Sequence, residues 1–389
     1  MKSNYKKLGQ YIRQVDVRNT EGKEENLLGV SVQKQFIPSI ANTVGTDFTK
    51  YKVVRKGQFT YIPDTSRRGD KIGIALLENY DEGLVSNVYT VFEVIDENQL
   101  MPEYLMLWFS RPEFDRYARY KSHGSVREIF DWDELCMVEL PVPSIEKQRS
   151  IVKAYKAITD RIALKKRINN NLEATAQAVF QEQFVSFYGA DELPDGYSIV
   201  NLDSLCTVKG GKRLPADCEL LDTPTEHPYI RVRDVGSGRY VCLTNQFQYI
   251  DEETHSAISR YIVNTGDIVI SIVGTIGLLG KIHSSLDKAN LTENCVKLAN
   301  IHTVTSDYLY YTLCYKKQIK EIELLTVGAV QAKLPMYNIQ SMKILVPPTK
   351  VMEEFQNKMN VFNEQIEANT VEVQRLYELQ EVLLAKMSD

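Results

Sequence analysis

The apolar residues after Pro143 recur at alternating spacings of four and three positions, and the same spacing returns after Pro348. This pattern is typical of the contact seam of a coiled coil. Residues 146–187 and 350–387 contain neither Gly nor Pro, so each is predicted to form one helix of roughly 60 Å. The predicted seam residues are Ile151, Tyr155, Ile158, Ile162, Leu172 and Val179 in the first helix and Phe355, Met359, Phe362, Ile366, Val373, Leu376 and Leu383 in the second.

The two predicted helices are the last part of a longer internal repeat. Residues 124–187 match, without a gap, the residues 204 positions later, and this match includes the proline-containing runs at 140–143 and 344–347. Weaker matches with small register shifts continue upstream, for example between Gly57 and Gly266. The unit is much longer than a solenoid repeat of roughly 20–50 residues. The pattern therefore predicts a whole domain and a helix, duplicated.

The residues that precede each long helix have the pattern of mixed, β-rich domains. Residues 53–62 predict strand, turn and strand, and residues 261–263 and 268–270 repeat that pattern. Residues 102–119 and 306–323 are predicted to be helical. We therefore predict an α+β fold with similar β-rich domains at residues 1–143 and 188–347, each followed by a long helix, at residues 144–187 and 348–389, the two helices pairing as an antiparallel coiled coil.

The charges of the two helices favour this pairing. The first helix holds eight Lys/Arg and four Asp/Glu, a net charge of +4, and the second holds four and eight, a net charge of −4. Opposite charge favours pairing between the helices over self-pairing. In the repeat, Asn169 falls in step with Val373 and Lys165 with Asn369, and such polar seam residues fix register. The alternative is that each helix packs only on its own domain. Antiparallel pairing would make the helices a spacer between the domains.

Composition indicates globular domains. The chain has 389 residues, 43% of them hydrophobic, and a net charge of −5. The most apolar stretch, residues 268–279, is shorter than the roughly 20 residues of a membrane span and is interpreted as buried strand and turn. The six cysteines lack CxxC spacing, which favours reduced thiols over a metal site.

No enzyme motif is complete in this sequence. Residues 274–281 resemble a phosphate loop, but the spacing is one residue too long and Ile282 stands where Ser or Thr should bind magnesium. Residues 234–238 are interpreted as a β-turn. The run Pro347-Pro348-Thr349 lacks the amide and the aromatic residue of an amino-methyltransferase tetrad. The five histidines show no ligand or triad spacing. We therefore predict no catalytic, cofactor-binding or metal-binding residue.

Basic clusters occur in both halves, in segments that contain Gly and have aromatic neighbours. The negative net charge argues against a simple basic nucleic-acid binder, and a solvated surface is the alternative interpretation of each cluster. Lys and Arg position a protein on phosphates, and Arg also reads base edges. The candidate DNA-binding residues are Tyr61, Arg67, Arg68, Lys71, Lys209, Lys212, Arg213, Arg231, Arg233 and Lys281.

The order of these features resembles the specificity (S) subunit of type I restriction–modification systems. The resemblance covers essentially the whole chain and is carried by residues 124–127 (Gly-Ser-Val-Arg), 133–135 (Asp-Glu-Leu), 141–148 (Pro-Val-Pro-Ser-Ile-Glu-Lys-Gln), 265–271 and 274–277. The second proline run departs from the pattern, because residues 348–352 lack the usual Glu and Gln. This departure affects the expected capping of the second helix.

The resemblance implies a non-catalytic subunit for DNA recognition in a bacterial or archaeal cytoplasm. Each domain would read one half of a split double-stranded target, and the paired helices would set the unread gap. The helices would also dock two copies of a methyltransferase subunit, which carry S-adenosylmethionine and methylate adenine, so this chain would hold no cofactor. Restriction subunits with motor and nuclease activities can join such complexes.

Two alternatives remain open at this stage. The chain could be a coiled-coil scaffold that binds protein, and DNA binding by its complex would discriminate against that. It could also be the recognition part of a DNA methyltransferase or type II-like enzyme whose catalytic part lies elsewhere. Methyl transfer by the purified chain alone would support the second alternative.

Overall fold

The computed structural model describes residues 5–388 except 40–44, 65–70, 124–127, 189, 191, 237, 245 and 329–331. The chain divides into two compact units, one comprising Met1–Ala163 with Arg375–Asp389 and the other comprising Leu164–Gln374. Each unit therefore combines one β-rich domain with the adjoining segments of both long helices.

The first β-rich domain contains short strands and three short helices among its described residues. The strands are β1 (Tyr5–Lys7), β2 (Ile12–Val15), β3 (Leu28–Val30), β4 (Phe36–Pro38), β5 (Lys52–Arg55), β6 (Phe59–Tyr61), β7 (Ile74–Leu76), β8 (Glu82–Val85), β9 (Thr90–Val94) and β10 (Glu139–Pro141), and the helices are α1 (Pro102–Phe109), α2 (Pro112–Lys121) and α3 (Trp132–Cys136). One sheet has the order β2-β9-β6-β7, and β1 pairs with β10, β3 with β4 and β5 with β8.

The second β-rich domain repeats this frame with additions. Its strands are β11 (Ser198–Asn201), β12 (Thr207–Gly210), β13 (His227–Ile230), β14 (Tyr240–Val241), β15 (Gln248–Ile250), β16 (Ile268–Ser271), β17 (Leu279–Ile282), β18 (Asn290–Leu291), β19 (Cys295–Ala299) and β20 (Lys343–Val346). Its helices are α5 (Glu252–Ile258), α6 (Ser306–Leu313), α7 (Lys316–Leu324) and α8 (Met336–Gln340). The sheets have the orders β12-β19-β16-β17-β14 and β15-β13-β18, and β11 pairs with β20.

The duplicated frame is visible at the turn before β6 and β16. Gly57 and Gly266 both have a φ of 85°, a left-handed conformation that glycine adopts without a steric cost. Each turn is closed by the following side chain, since Gln58 accepts a hydrogen bond from the Arg55 N–H and Asp267 accepts one from the Asn264 N–H. The strands of the first sheet correspond in order to β12, β19, β16 and β17, so the predicted duplication extends to sheet topology.

One local prediction was wrong, and two segments that are helical as predicted are each divided into two helices. Residues 102–119 form two helices, because Pro112 begins α2 and its ring disfavours a helical conformation at the preceding residue. Residues 306–323 divide in the same place, between α6 and α7. Residues 261–263 are not a strand, since Tyr261 ends a short 3-10 turn that continues α5 and Ile262 forms a single bridge with Asn290.

The two long helices are α4 (Ile145–Phe184) and α9 (Thr349–Ala385), and each ends in a short 3-10 turn. They pair along their lengths. Thr159 Oγ1 accepts a hydrogen bond from Gln380 Nε2 at 2.7 Å, and Asn169 Oδ1 accepts one from Asn369 Nδ2 at 2.8 Å. Residue numbers rise along α4 as they fall along α9, so the helices are antiparallel. The predicted α+β fold with paired helices is confirmed.

Each domain packs on segments of both helices. In the first unit, Leu384 and Met387 of the second helical segment join the domain core, with Ile151 and Tyr155 of α4 packed against it. The alternative that each helix packs only on its own domain is therefore wrong. In the second unit, the shared core contains Phe180 and Phe184 of α4, Phe355 and Met359 of α9, and residues of the β-rich domain such as Tyr308.

The predicted seam residues are all at least half-buried. Ile162, Phe355, Met359, Ile366 and Val373 are buried. The remaining seam positions, which are half-buried, are Ile151, Tyr155, Ile158, Leu172, Val179, Phe362, Leu376 and Leu383.

The start of α4 is tied to its domain by a buried glutamine. Gln148 has no exposed surface, and its Oε1 accepts a hydrogen bond from the Met101 N–H at 2.8 Å. Its Nε2 donates to the Gln99 and Pro143 carbonyls. At the equivalent position of α9 the chain has Met352, which is buried in the core instead. At residues 348–352 the hydrogen bonds made by a buried glutamine are thus replaced by apolar packing of Met352.

Candidate nucleic-acid interface

A basic segment follows β12 in the second domain and is fixed by its backbone. The Gly211 N–H donates to the Cys295 carbonyl at 2.9 Å, and the Lys212 N–H donates to the Leu291 carbonyl at 2.8 Å. A Cβ atom at Gly211 would collide with the carbonyls of Leu291 and Thr292, so only glycine permits this approach. The side chains on this fixed backbone that point to solvent are Lys209, Lys212 and Arg213.

The second basic cluster follows a strand that is hydrogen-bonded to this segment. Tyr229 of β13 donates a hydrogen bond from its hydroxyl to the Lys212 carbonyl at 2.7 Å. Arg231 and Arg233 follow β13 in sequence. Tyr229 of the middle strand of the β15-β13-β18 sheet therefore links the Lys212 backbone to the strand that leads into Arg231 and Arg233, about 20 residues away in sequence.

The arginines of these two clusters differ in how firmly they are held. Arg231 donates from Nε to Asp234 at 3.1 Å and also bonds to Gln248, and its side chain is 16% exposed. Arg233 is 61% exposed and donates to the Gln246 carbonyl at 3.3 Å. Arg213 is 82% exposed and pairs with Glu293 at 2.8 Å. Exposed pairs of this kind contribute about 0–1 kcal/mol, so Arg213 can exchange Glu293 for a phosphate at little cost.

Two of the predicted DNA-binding residues are buried instead. Tyr61 has no exposed surface, since β6 is an interior strand of its sheet, and burial raises the pKa of its hydroxyl. Lys281 of β17 is 7% exposed and pairs with Asp307. Tyr61 lies in the wall of a groove of the first domain but has no exposed area of its own, and Lys281 is buried, so we remove both from the residues proposed to contact DNA.

In the first domain, Arg67 and Arg68 lie outside the described residues, and Lys71 is exposed. The chain beside Lys71 is anchored, because the Ile72 N–H donates to Asp115 Oδ1 at 3.1 Å. The same carboxylate pairs with the buried Lys34 at 2.7 Å. Burial lowers the pKa of Lys34 although Asp115 opposes this effect.

The first domain also contains a groove of about 740 Å³. Tyr51, Tyr89 and Trp132 line it together with Asp64 and Ile129, which form a β-bridge. Asp64 directly precedes the sequence segment that carries Arg67 and Arg68. The groove therefore gives this domain a concave, aromatic surface next to its basic segment in sequence.

Sequence reasoning missed a buried network in the second unit. Asp307, at the start of α6, pairs with Arg239 and Lys281, and Arg239 also lies 3.7 Å from Glu173 of α4. Although burial opposes ionisation, the charges of Lys281 and Arg239 hold the pKa of Asp307 well below its usual range. Burial raises the pKa of Glu173 and lowers that of Lys281. Arg239 and Asp307 are 68 positions apart, so no local pattern could have predicted their contact.

The described residues contain no group of three or more His, Cys, Asp or Glu side chains placed to hold a metal ion. Within the same part of the chain, no helix is long and apolar enough to cross a membrane. The surface features that remain as candidates are the exposed basic side chains of the two β-rich domains.

The sequence of this chain matches a known protein family in both of its halves. The family model for the type I restriction modification DNA specificity domain matches residues 3–174 and 194–381, one copy for each half. The type I restriction enzyme MjaIX specificity subunit of Methanocaldococcus jannaschii is 23% identical over 314 residues, which cover 76% of this chain and 70% of the relative. The HindI specificity subunit of Haemophilus influenzae is 21% identical over 408 aligned residues, covering 86% of each chain.

Among solved structures, the S subunit of a type I restriction–modification system from M. genitalium aligns with 99% of this chain and 96% of its own, at 15% identity and a TM-score of 0.49. The two family matches together span most of the sequence and coincide with the internal repeat. Members of this family recognise DNA and are not themselves catalytic. The chain belongs to the type I restriction–modification specificity subunits and is the DNA specificity subunit of such a system.

Proposed function

We propose that each β-rich domain reads one half of a bipartite DNA target, while the antiparallel helices set the unread gap between the halves. The observation that carries this proposal is the duplicated frame. The same sheet order and the same glycine turn occur in both domains, whereas the basic segments differ. A shared frame with different surface loops suits two related modules that bind different sequences.

In the second domain, the proposed contacts divide by how firmly the side chains are held. Lys209, Lys212 and Arg213 extend from a fixed backbone into solvent, which suits phosphate contacts that position the domain. Arg231 is oriented by Asp234 and Gln248, which suits bidentate reading of a base edge, and Arg233 lies beside it. In the first domain we retain Arg67, Arg68 and Lys71 as candidates.

The proposed partners are two copies of a methyltransferase subunit that dock on the helix pair and carry S-adenosylmethionine. Restriction subunits can join the same complex. A net charge of −5 fits such an assembly, because partner subunits would supply much of the positive surface that holds DNA.

Genomic methylation mapping tests the proposal. Deleting this chain from its host should abolish methylation at one bipartite motif, and restoring the chain should restore that motif alone. Unchanged methylation after deletion would contradict the proposal. The purified chain is expected to transfer no methyl group without its partner subunit, and activity of the chain alone would favour the enzyme alternative.

A further inference from the structure

The second β-rich domain contacts the helix pair at successive places along its length. The first is an apolar contact, in which Phe184 of α4 packs against Tyr308 of α6 and Phe355 of α9 at ring distances of 5.0 and 5.3 Å. Apolar burial holds surfaces together but is not directional. This contact alone therefore permits the domain to pivot on the helices.

The second contact is polar and directional. Asp307 Oδ1 accepts hydrogen bonds from Arg239 and Lys281 of the domain. Its other oxygen, Oδ2, accepts from Gln356 Nε2 at 2.7 Å and from Asn363 Nδ2 at 2.6 Å, and both of these residues are on α9. We call these five residues the Asp307 network.

The network also reaches α4. Arg239 Nη1 donates to the Tyr311 hydroxyl at 3.0 Å, and this hydroxyl donates to Glu173 Oε2 at 3.0 Å. The side chains of Arg239 and Asp307 are only 1% and 4% exposed. The domain is thus joined to both helices through groups that have little access to water.

Further polar contacts continue along α9 beyond the network. His283 Nε2 lies 2.8 Å from Glu367 Oε1, and Gln374 Nε2 donates to the Leu243 carbonyl at 2.8 Å. From Phe355 to Gln374 the helix rises by roughly 28 Å. The apolar and polar contacts are therefore spread along this length of α9, and the domain is held at several points rather than at one.

The first half cannot build the same network. At the positions equivalent to Tyr311 and Gln356 it has Leu107 and Val152, neither of which forms side-chain hydrogen bonds. Buried ionic groups are weak evidence for stability, and their best-attested use is to specify one arrangement over others. We therefore interpret the Asp307 network as fixing the orientation of the second domain, since the first half lacks the side chains to form it.

We propose that the Asp307 network locks the second domain at one orientation on the helix pair and thereby restricts the DNA gap that the subunit accepts. This inference rests on the proposed function. Accepting a gap that is one base pair longer requires the domain to move by about 3.4 Å along the duplex and to turn by roughly 35° about its axis. A domain that lacks the network's hydrogen bonds to α9 could make part of this movement, whereas a locked domain cannot.

The test uses the full chain in complex with its methyltransferase subunit. The combined substitutions Gln356→Met and Asn363→Leu remove the two α9 donors to Asp307 and leave Arg239, Lys281 and Asp307 in place. Methylation rates are measured on duplexes that carry both half-sites at the native gap and at gaps one base pair shorter and longer. The ratio of native to shifted rates should fall by about tenfold in the variant, equivalent to about 1.4 kcal/mol.

Leu286→Ala is the matched control. Leu286 is fully buried in a cluster of the second domain that contains no residue of the long helices. This variant should lower the melting temperature without changing the gap ratio. If the double variant does not fold, Asn363→Leu alone, which retains Gln356, provides the milder comparison.

The possible results distinguish a failure of this inference from a failure of the proposed function. A wild-type complex with a sharp gap preference, and a folded network variant that keeps the same ratio, would overturn this inference alone. An equal loss of gap preference in Leu286→Ala would also overturn it, because instability would then explain the effect. A wild-type complex that recognises no gapped target would overturn the proposed function as well.

Discussion

Replacing Asp307 by asparagine should destabilise the second unit strongly. The carboxylate bonds to two buried cations and accepts two further hydrogen bonds from α9. The neutral amide of the Asp307→Asn variant would leave Arg239 and Lys281 without their shared counter-charge in a site that is almost closed to water. Breaking a buried ion pair by removing one partner typically costs about 3–5 kcal/mol. For a unit of roughly 200 residues, this corresponds to a fall in melting temperature of roughly 6–20 °C.

Glu173→Gln is the informative comparison, because the two carboxylates have opposite pKa shifts. Burial raises the pKa of Glu173, so the ionised form is disfavoured in the folded protein, and glutamine can still accept the Tyr311 hydrogen bond. We expect this variant to differ from wild type by no more than about 1 kcal/mol. Thermal unfolding at pH 7 followed by circular dichroism and calorimetry measures both. A change below about 2 °C for Asp307→Asn, or equal losses for both variants, would refute the reasoning.

The difference in stability between wild type and Asp307→Asn should depend on pH, because folding shifts the pKa of Asp307. The pKa of Asp307 is depressed on folding, so its contribution is fully present above the ordinary aspartate value of about 3.9 and is lost as pH falls towards the folded value. The stability gap between wild type and Asp307→Asn should therefore be constant from about pH 5 to 8 and shrink below about pH 4. A gap that is constant down to pH 2 would contradict the assignment of Asp307 as an ionised group.

Three further predictions concern DNA recognition. Exchanging residues 1–143 for the equivalent domain of a relative should change one half of the methylated sequence, and a change in both halves or neither would contradict modular reading. Lys212→Ala should weaken binding to all sequences and reduce the salt slope by about one unit, whereas Arg231→Ala should cost roughly 1–3 kcal/mol and relax one base position, as measured by titration at several salt concentrations. Inserting four residues after Asn169 adds roughly 6 Å of helix and a turn of about 40°. The gap should then lengthen by one or two base pairs of about 3.4 Å, and a stable insertion variant that methylates at the original spacing would show that the helices do not measure it.

The sequence was most informative where structure depends on periodicity. The long helices begin and end within a few residues of the predicted bounds, and the seam positions are at least half-buried, because heptad spacing is a direct consequence of helix geometry. The break between α1 and α2 was also available in the sequence, since Pro112 disfavours a continuous helix. The break between α6 and α7 has no proline and becomes visible only through its homology with the first half.

The candidate site was harder to predict, because its members depend on contacts between distant segments. Tyr61 was chosen because it lies near basic residues in sequence. All three residues of β6 are buried, so the usual alternation of buried and exposed positions along a strand could not identify Tyr61 as an interior residue. Lys281 was chosen for its charge, and its partner Asp307 is 26 positions away. By contrast, Lys212 and Arg213 kept their predicted exposure, because Gly211 packs against the sheet and directs the following side chains outward.

Residues at the centre of the helix pair favour pairing of the first helix with the second over pairing of the first helix with a copy of itself. Asn369 is 1% exposed, and its Oδ1 accepts a hydrogen bond from Lys165 Nζ at 2.9 Å. Lys165 is also the residue that occupies the position of Asn369 in the first repeat. Two copies of the first helix paired in the same register would therefore bring two Lys165 ammonium groups together at a site with little access to water, where like charges repel strongly. This central layer disfavours pairing of the first helix with a copy of itself, and the like net charges disfavour self-pairing of either helix, so both features favour the pairing of the first helix with the second.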